Sequence, residues 1–478
     1  MPAISPINQN FMALNPEIIS EDTIARIRDL YLQPSDGDSH DDHFQIVHSP
    51  FKALKFKDFY KDADSLRELT EEVEKLTFYD KQNDLYNLKQ SEDLTDSENE
   101  VISKFVSTLR KDVGQSLSRI MEVSFNDNFT LTASRYAAKD VLLCHDDKCV
   151  DRCVAFVLYL TGTGEEKGGA FEMFGKDGNG QPTTVVKSLP AVANSFLCFE
   201  VGNFTYHQVS EVIDPTFERL SLNGWFHSDR EISLLDYADP RPPVQQQVPN
   251  EDGLLFDECV SPMYLLPATV SQACAKFEGD SQIEFLNFLR PNMYKKCLEE
   301  LKTLTDWTPR GPANRRHYSV MENVQEPNLK KLFESLASPQ CVSFLKQVTG
   351  LSLVPKSPDV EESSEFSIEL QKWAPGDYTM ATDNDEYFLH NGLDFFLWFG
   401  SEEAELDHET GGNIVYLSTD EDDDDEDDRY LLGIDPQDNA LHLVYRTDMT
   451  VRFTKYINHT AKSPYYCIAA TYYERDED

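Results

Sequence analysis

Val154-Ala-Phe-Val-Leu-Tyr-Leu160 breaks at Gly162-Thr-Gly164 and gives way to Gly168-Gly-Ala-Phe-Glu-Met-Phe174 and the turn segment Gly175–Gly180; this stretch decides the fold. Each apolar run is short, rich in β-branched and aromatic residues, and bounded by glycine, which is the pattern of a strand and not of a helix. The same texture recurs at Phe129–Ser134, Ser195–Val201 and Arg219–His227. Many short strands with glycine-rich turns imply an antiparallel sandwich or barrel, not a parallel α/β sheet. Gly162–Gly169 lacks the order of a phosphate loop, so its glycines are read as turn residues.

Upstream the period changes. Helical patterns cover about Glu17–Leu32, a segment opened by the capping box Ser65-Leu-Arg-Glu68, and about Glu98–Met121. The second places Leu66, Leu69, Val73 and Leu76 on one face. Downstream, Asp239–Gly253 is rich in proline and glutamine and reads as a linker. Helical patterns then return at about Ile283–Leu304 and Asn328–Val348, followed by more strand-like runs. Gly411-Gly-Asn-Ile-Val-Tyr-Leu417 echoes Gly168–Phe174, Leu393–Phe399 echoes Val154–Leu160, and Phe453–Tyr456 echoes Phe204–His207. Three echoes in the same order suggest a duplicated domain. The domains expected are 1–235 with its helical leader, a linker over 236–255, and 256–478. The run Asp420–Asp428 of nine acidic residues reads as a loop in the second domain.

Lys and Arg number 43 against 85 Asp and Glu, a formal charge of −42. Such a surface repels nucleic acid and anionic lipid and attracts basic partners. No apolar run reaches the ~20 residues a membrane helix needs. The first residues lack the pattern of a secretory signal. Nine cysteines without framework spacing read as reduced thiols, consistent with cytoplasm and nucleus.

His145-Asp-Asp147 follows the apolar Val141-Leu-Leu143, and His207 follows another apolar run. A His-X-Asp pair on a strand puts both side chains on one face. Two imidazoles and one carboxylate are the donor set of non-haem iron(II) oxygenases, which leaves positions open for co-substrate and oxygen. On Arg219–His227 alternation sends Arg219, Ser221, Asn223 and Trp225 to one face. A guanidinium there needs a carboxylate. Its fork suits the distal carboxylate of 2-oxoglutarate, with Ser221 and Tyr159 adding hydroxyls. The blander readings are a structural ion pair for Arg219 and core packing for Tyr159.

These residues resemble the eukaryotic ribosomal prolyl 3-hydroxylases. The resemblance is carried by Leu143–Asp147, Ala155–Leu160, Phe199–Val201, His207–Val212, Arg219–His227 and the block Lys81–Leu94. It implies two tandem double-stranded β-helix (jelly-roll) domains with flanking helices. It implies a 2-oxoglutarate-dependent dioxygenase with His145, Asp147 and His207 on iron(II), Tyr159, Arg219 and Ser221 on 2-oxoglutarate, and dioxygen, with ascorbate as reductant. Lys81, Asn83, Asp84, Tyr86 and Gln90 are implied at the protein substrate. That substrate is implied to be a proline of a small-subunit ribosomal protein near the decoding centre, with consequences for translation. Triad and clamp alone suit prolyl, lysyl, asparaginyl or nucleic-acid oxygenases alike. A second copy of the chain is an expected partner; nucleic acid and membrane are not.

In the second half, aligning Lys372–Asp377 with Arg135–Asp140 puts Thr382 and Asn384 where His145 and Asp147 stand. Tyr456 then falls near the His207 position and Tyr465 near Arg219. That set holds no facial triad, so the second domain is expected to be non-catalytic. Two other readings compete. Cys144, Cys149 and Cys153 crowd His145, although their spacing is not that of a zinc knuckle. A non-enzymatic, oxygen-sensing binding regulator would use the same fold without turnover.

Overall fold

The computed structural model describes residues 14–35, 37–149, 151–162, 167–229, 255–353, 366–381, 391–419 and 429–473. The linker segment 239–253, the acidic run 420–428, Thr382 and Asn384 lie outside them. The chain forms two compact units, Met1–Tyr237 and Ala238–Asp478.

In the first unit, strands Ala53–Phe56, Phe196–Glu200, Arg152–Tyr159, Arg219–His227 and Phe129–Tyr136 pair antiparallel in that order. A second group runs Val141–His145, His207–Val209, Phe171–Lys176 and Pro182–Leu189. Strand Tyr86–Gln90 pairs with Phe129–Tyr136 on one side and Val141–His145 on the other, so it joins the two groups. This is a double-stranded β-helix with an extra strand in its wall. Alternation divides the labour of the first group. Leu131, Ala133, Val154, Phe156, Leu158, Leu220 and Leu222 face the leader helices and share one core with Ile24, Ile27, Leu69, Val73, Phe105 and Leu117. Truncating any such leucine to alanine costs about 2–5 kcal/mol. The opposite face carries Thr132, Tyr136, Val157, Arg219, Asn223 and Trp225 into the interior. Gly224 is required where strands Phe129–Tyr136 and Arg219–His227 meet: a Cβ there would lie 1.9 Å from the Thr130 carbonyl oxygen.

The leader helices are Pro16–Ile19, Glu21–Leu32, Ala63–Glu74 and a broken helix over Glu100–Met121, with a π-turn at Leu109–Val113. The expected capping box is corrected. Asp62, not Ser65, caps the Ala63–Glu74 helix, accepting from the Ser65 N–H at 2.8 Å. Glu68 lies inside the helix.

Among the described residues of the second unit, eight strands form one sheet and three another. Helices Pro267–Asp280, Pro291–Leu301, Pro327–Leu336 and Pro339–Thr349 each open with proline, whose missing N–H costs nothing there. They pack on the larger sheet around Phe285, Leu332, Leu345, Leu397 and Leu443. The helix read over Ile283–Leu304 is corrected: Gln282–Phe285 pairs as a strand with Leu441–Arg446, and only Pro291–Leu301 is helical.

The duplication shows in detail. Phe129–Tyr136 ends in a turn where Lys139 has φ 76° and Asp140 accepts from the Ala137 N–H at 2.8 Å. Phe366–Trp373 ends in the same turn, with Gly376 at φ 97° and Asp377 accepting from Ala374 at 2.7 Å.

Candidate functional site

Val141–His145 and His207–Val209 are adjacent strands, and their pairing sets His207 directly opposite His145. The strand ends at His145. Asp147 therefore does not share a strand face with His145, as alternation had suggested. It returns to the site through a left-handed backbone, φ 62°, a conformation that aspartate tolerates better than most residues. The Thr205 hydroxyl donates to the Asp146 carbonyl at 3.2 Å and ties this loop to the segment before His207.

The ring nitrogens are assigned by their partners. His145 Nδ1 donates to the Leu143 carbonyl at 2.8 Å and His207 Nδ1 to the Thr205 carbonyl at 2.7 Å. Both Nε2 lone pairs then face Asp147, whose carboxylate oxygens lie 3.6 and 3.4 Å from them. Such backbone partners fix the tautomer a metal needs. Among the described residues these three form the one group of His, Cys, Asp or Glu able to hold a metal, with donor atoms within 4.8 Å of one another. Cys144 and Cys153 are buried and Cys149 exposed, and none joins it, so the zinc reading has no geometry.

Burial, with the neighbouring His207, pushes the His145 imidazole down to about 4. Burial alone would raise Asp147, but His207, His145 and Arg152 outweigh it and hold the carboxylate well below its usual range. A neutral imidazole beside an ionised carboxylate is the protonation state of a metal donor set. Phe171 stacks on the His207 ring at 5.0 Å and Phe199 meets it edge-on at 4.9 Å, so one side of the site is dry.

The triad opens on a cavity of about 360 Å³. Arg219, 2% exposed, is at its wall, with its guanidinium 4.6 Å from the Tyr136 ring and 5.1 Å from that of Tyr159. Arg219 Nε, the Tyr159 hydroxyl and the Ser221 hydroxyl are all buried without a hydrogen-bond partner among the described residues. The arginine charge reaches the Tyr159 hydroxyl without a well-aligned bond. Burial raises Tyr159, and Arg219 opposes it. The same balance lifts Tyr136 to about 12. Buried polar atoms are seldom left unmatched. Ser221 stands opposite Tyr159 and shares its strand face with Arg219, so three unmatched atoms, one of them cationic, cluster together and fit a carboxylate such as that of 2-oxoglutarate.

Of the block read as substrate-facing, Lys81, Tyr86 and Gln90 line the cavity. Asn83 and Asp84 do not. They make the hairpin turn, where Asn83 Oδ1 accepts from the N–H groups of Leu85 and Tyr86. Sequence reasoning missed Tyr136 and Arg152. Arg152 reaches Asp147 at 3.6 Å and stacks over the Trp225 ring at 3.7 Å. Tyr136 was within reach, since it continues the alternation of Thr132 and Ser134. Arg152 carried no signal, because its partners come from two distant segments.

In the second unit the registers correct one expectation. Tyr465 opposite Trp373 repeats Arg219 opposite Tyr136, as read. Gly411 abuts the Tyr456 carbonyl as Gly168 abuts that of Glu211, so Tyr456 matches Glu211. Arg452, opposite Tyr416, occupies the place of His207, opposite Met173. A guanidinium has no lone pair for a metal. Arg452 instead faces the buried Asp394 at 3.5 Å, in a cluster with Arg446, Tyr416 and Thr471. Trp398, Tyr465 and Cys467 stand where Tyr159, Arg219 and Ser221 do, and the aromatic rings leave a cavity of about 70 Å³. That space is about a fifth of the first unit's cavity, and no arginine stands in the clamp position, so it does not fit the same acid.

Comparison with known proteins agrees. Residues 131–227 match the 2OG-Fe(II) oxygenase superfamily, and residues 254–478 match the oxoglutarate and iron-dependent oxygenase degradation C-term model. Iron(II), 2-oxoglutarate and dioxygen are the cofactor and co-substrates of that superfamily. The chain is 34% identical over 442 residues to prolyl 3-hydroxylase OGFOD1 of Xenopus laevis, covering 86% of this chain and 84% of that one. It is 29% identical to prolyl 3-hydroxylase OGFOD1 of Mus musculus, over 89% of each chain. To prolyl 3-hydroxylase sudestada1 of Drosophila melanogaster it is 30% identical, over 90% of this chain and 84% of that one. With donor triad, carboxylate clamp and near full-length similarity together, the chain belongs to the prolyl 3-hydroxylase family of iron(II)- and 2-oxoglutarate-dependent oxygenases.

Proposed function

We propose that this chain hydroxylates C3 of a proline in a small-subunit ribosomal protein near the decoding centre, acting in cytoplasm and nucleus. One observation carries the chemistry: the metal donor set and Arg219 line one cavity, and Arg219 shares its inward strand face with Ser221, opposite Tyr159, where three buried polar atoms are unmatched. The names of the relatives support proline as the residue modified. The charge of −42 supports a basic partner such as a ribosomal protein.

Iron(II) with 2-oxoglutarate and dioxygen supplies the oxidant that turns a ring C–H into C–OH, with succinate and carbon dioxide as co-products. The chain's own residues bind and orient. His145, Asp147 and His207 would hold the ion, and all three line the cavity. Arg219, Tyr159 and Ser221 would receive a carboxylate of the co-substrate and so orient it. Phe171 and Phe199 keep water from His207. Arg152, 3.6 Å from Asp147, favours the ionised carboxylate and stacks over the Trp225 ring. No side chain need act as acid or base in breaking the C–H bond, since the cofactor carries that chemistry.

The test is anaerobic purification with iron(II), then succinate formation and a mass gain of one oxygen atom on the proline-containing peptide of that ribosomal protein. Peptide-dependent succinate with the gain on proline is the expected result. Succinate without modified peptide would remove the ribosomal target.

A further inference from the structure

Asn223 lies two residues beyond Ser221 on the inward face of its strand, half-buried in the cavity wall. Its Nδ2 donates to Thr132 Oγ1 at 3.1 Å, and Gln90 Nε2 donates to the same oxygen at 3.2 Å. Thr132 in turn donates to the Asn223 carbonyl at 3.5 Å. A hydroxyl has one donor and two acceptor sites, so Thr132 uses all three. This fixes which way both carboxamides face. Gln90 Oε1 is turned back to Lys81 Nζ at 3.1 Å. Asn223 Oδ1 is turned away from Thr132 and accepts nothing among the described residues. Across the strand, Asn223 faces Val157, and the next cavity residue there is Ala155; neither side chain has a polar atom.

A carboxamide held at one end and open at the other is poorly explained by stability alone, because half of a partly buried polar group is left unmatched. Its open end offers an acceptor and a remaining N–H, the complement of a peptide group. It sits on the same strand face as the clamp, one repeat beyond Ser221, and lines the cavity that the triad also lines. We infer that Asn223 is a substrate-orienting residue, pairing with a backbone amide next to the reacting proline. Thr132 is its positioning residue, and Gln90 links both to the Tyr79–Gln90 hairpin. The inference rests on the proposed prolyl-peptide substrate.

The experiment uses the full chain with iron(II), 2-oxoglutarate and the ribosomal-protein peptide. Companion peptides carry an ester in place of the amide on either side of the proline. Asn223→Ala should raise the KM for the unmodified peptide about tenfold, the loss expected for one or two neutral hydrogen bonds. The kcat and the KM for 2-oxoglutarate should stay within about twofold, the signature of lost uniform binding. Thr132→Val should show part of the loss and Thr132→Ser should restore it. One ester peptide should be weakened in the parent but not further in Asn223→Ala. An unchanged peptide KM in Asn223→Ala, or a rise in the KM for 2-oxoglutarate instead, overturns the inference while leaving the prolyl reading intact. A parent chain that makes succinate but modifies no peptide overturns both.

Discussion

Arg219 is the residue on which co-substrate binding turns. Its fork is buried, stacked between two tyrosine rings and unmatched at Nε. Arg219→Ala should raise the KM for 2-oxoglutarate about ten- to a hundredfold, as for a charged hydrogen bond pair. Tyr159→Phe should cost about tenfold or less. Succinate formation against 2-oxoglutarate concentration checks both, with circular dichroism to confirm folding. These residues were legible because the ligand chemistry of two histidines, an acid and an inward arginine is restrictive, and strand alternation told which side chains point together. The left-handed turn at Asp147 was not legible, because it depends on where a strand stops. Nor was Arg152, whose partners Asp147 and Trp225 meet only after strands pair.

Among elements, the turn that ends Phe129–Tyr136 makes the most testable claims. Lys139 holds the left-handed conformation that the matching turn gives to Gly376. Lys139→Gly should therefore stabilise the first unit by about 0.5–1 kcal/mol, read by chemical denaturation. In the same turn, burial lifts the Asp140 carboxyl to about 6, against the Ala137 N–H that favours its charged form. A folded value raised above the unfolded one near 3.8 means that the folded chain holds the proton more tightly. Its stabilising effect is full below 3.8 and is lost as pH rises through 6. Asp140→Asn should accordingly gain on the parent as pH is raised across that window. Denaturation of both proteins at several pH values checks the sign. The elements were read well where period was sustained, as in Arg219–His227. They were misread where a short local signal competed. Ser65 and Glu68 mimic a capping box, while Asp62 makes the bond. Ile283 begins an apolar periodic run, yet pairing with Leu441–Arg446 overrides it.

At the scale of the whole molecule, the two units share an architecture and divide its chemistry. With Arg452 in the place of His207, the second unit should bind no iron of its own. Metal analysis should give roughly one iron per chain, lost in His207→Ala. The duplicated plan was legible from the paired glycines at Gly168 and Gly411. The counterpart of His207 was not, because Arg452 takes that place only through the strand register, which residue spacing does not carry. The charge of −42 predicts that a basic peptide binds through long-range attraction. Its KM should rise several-fold between low and high salt, with the KM for 2-oxoglutarate, held inside the wall, changing less.

The strand Tyr86–Gln90 is laced into both groups of strands, with rungs to Arg135 and Ser134 on one side and Leu142 and Val141 on the other. The segment that would meet the target is therefore not a detachable module. Grafting residues 79–90 alone onto another oxygenase would transplant a piece of barrel wall without its mates. Descent is constrained in the same way: lineages that change targets must revise this hairpin and its flanking rungs as a linked set, leaving correlated drift between stretches more than forty positions apart.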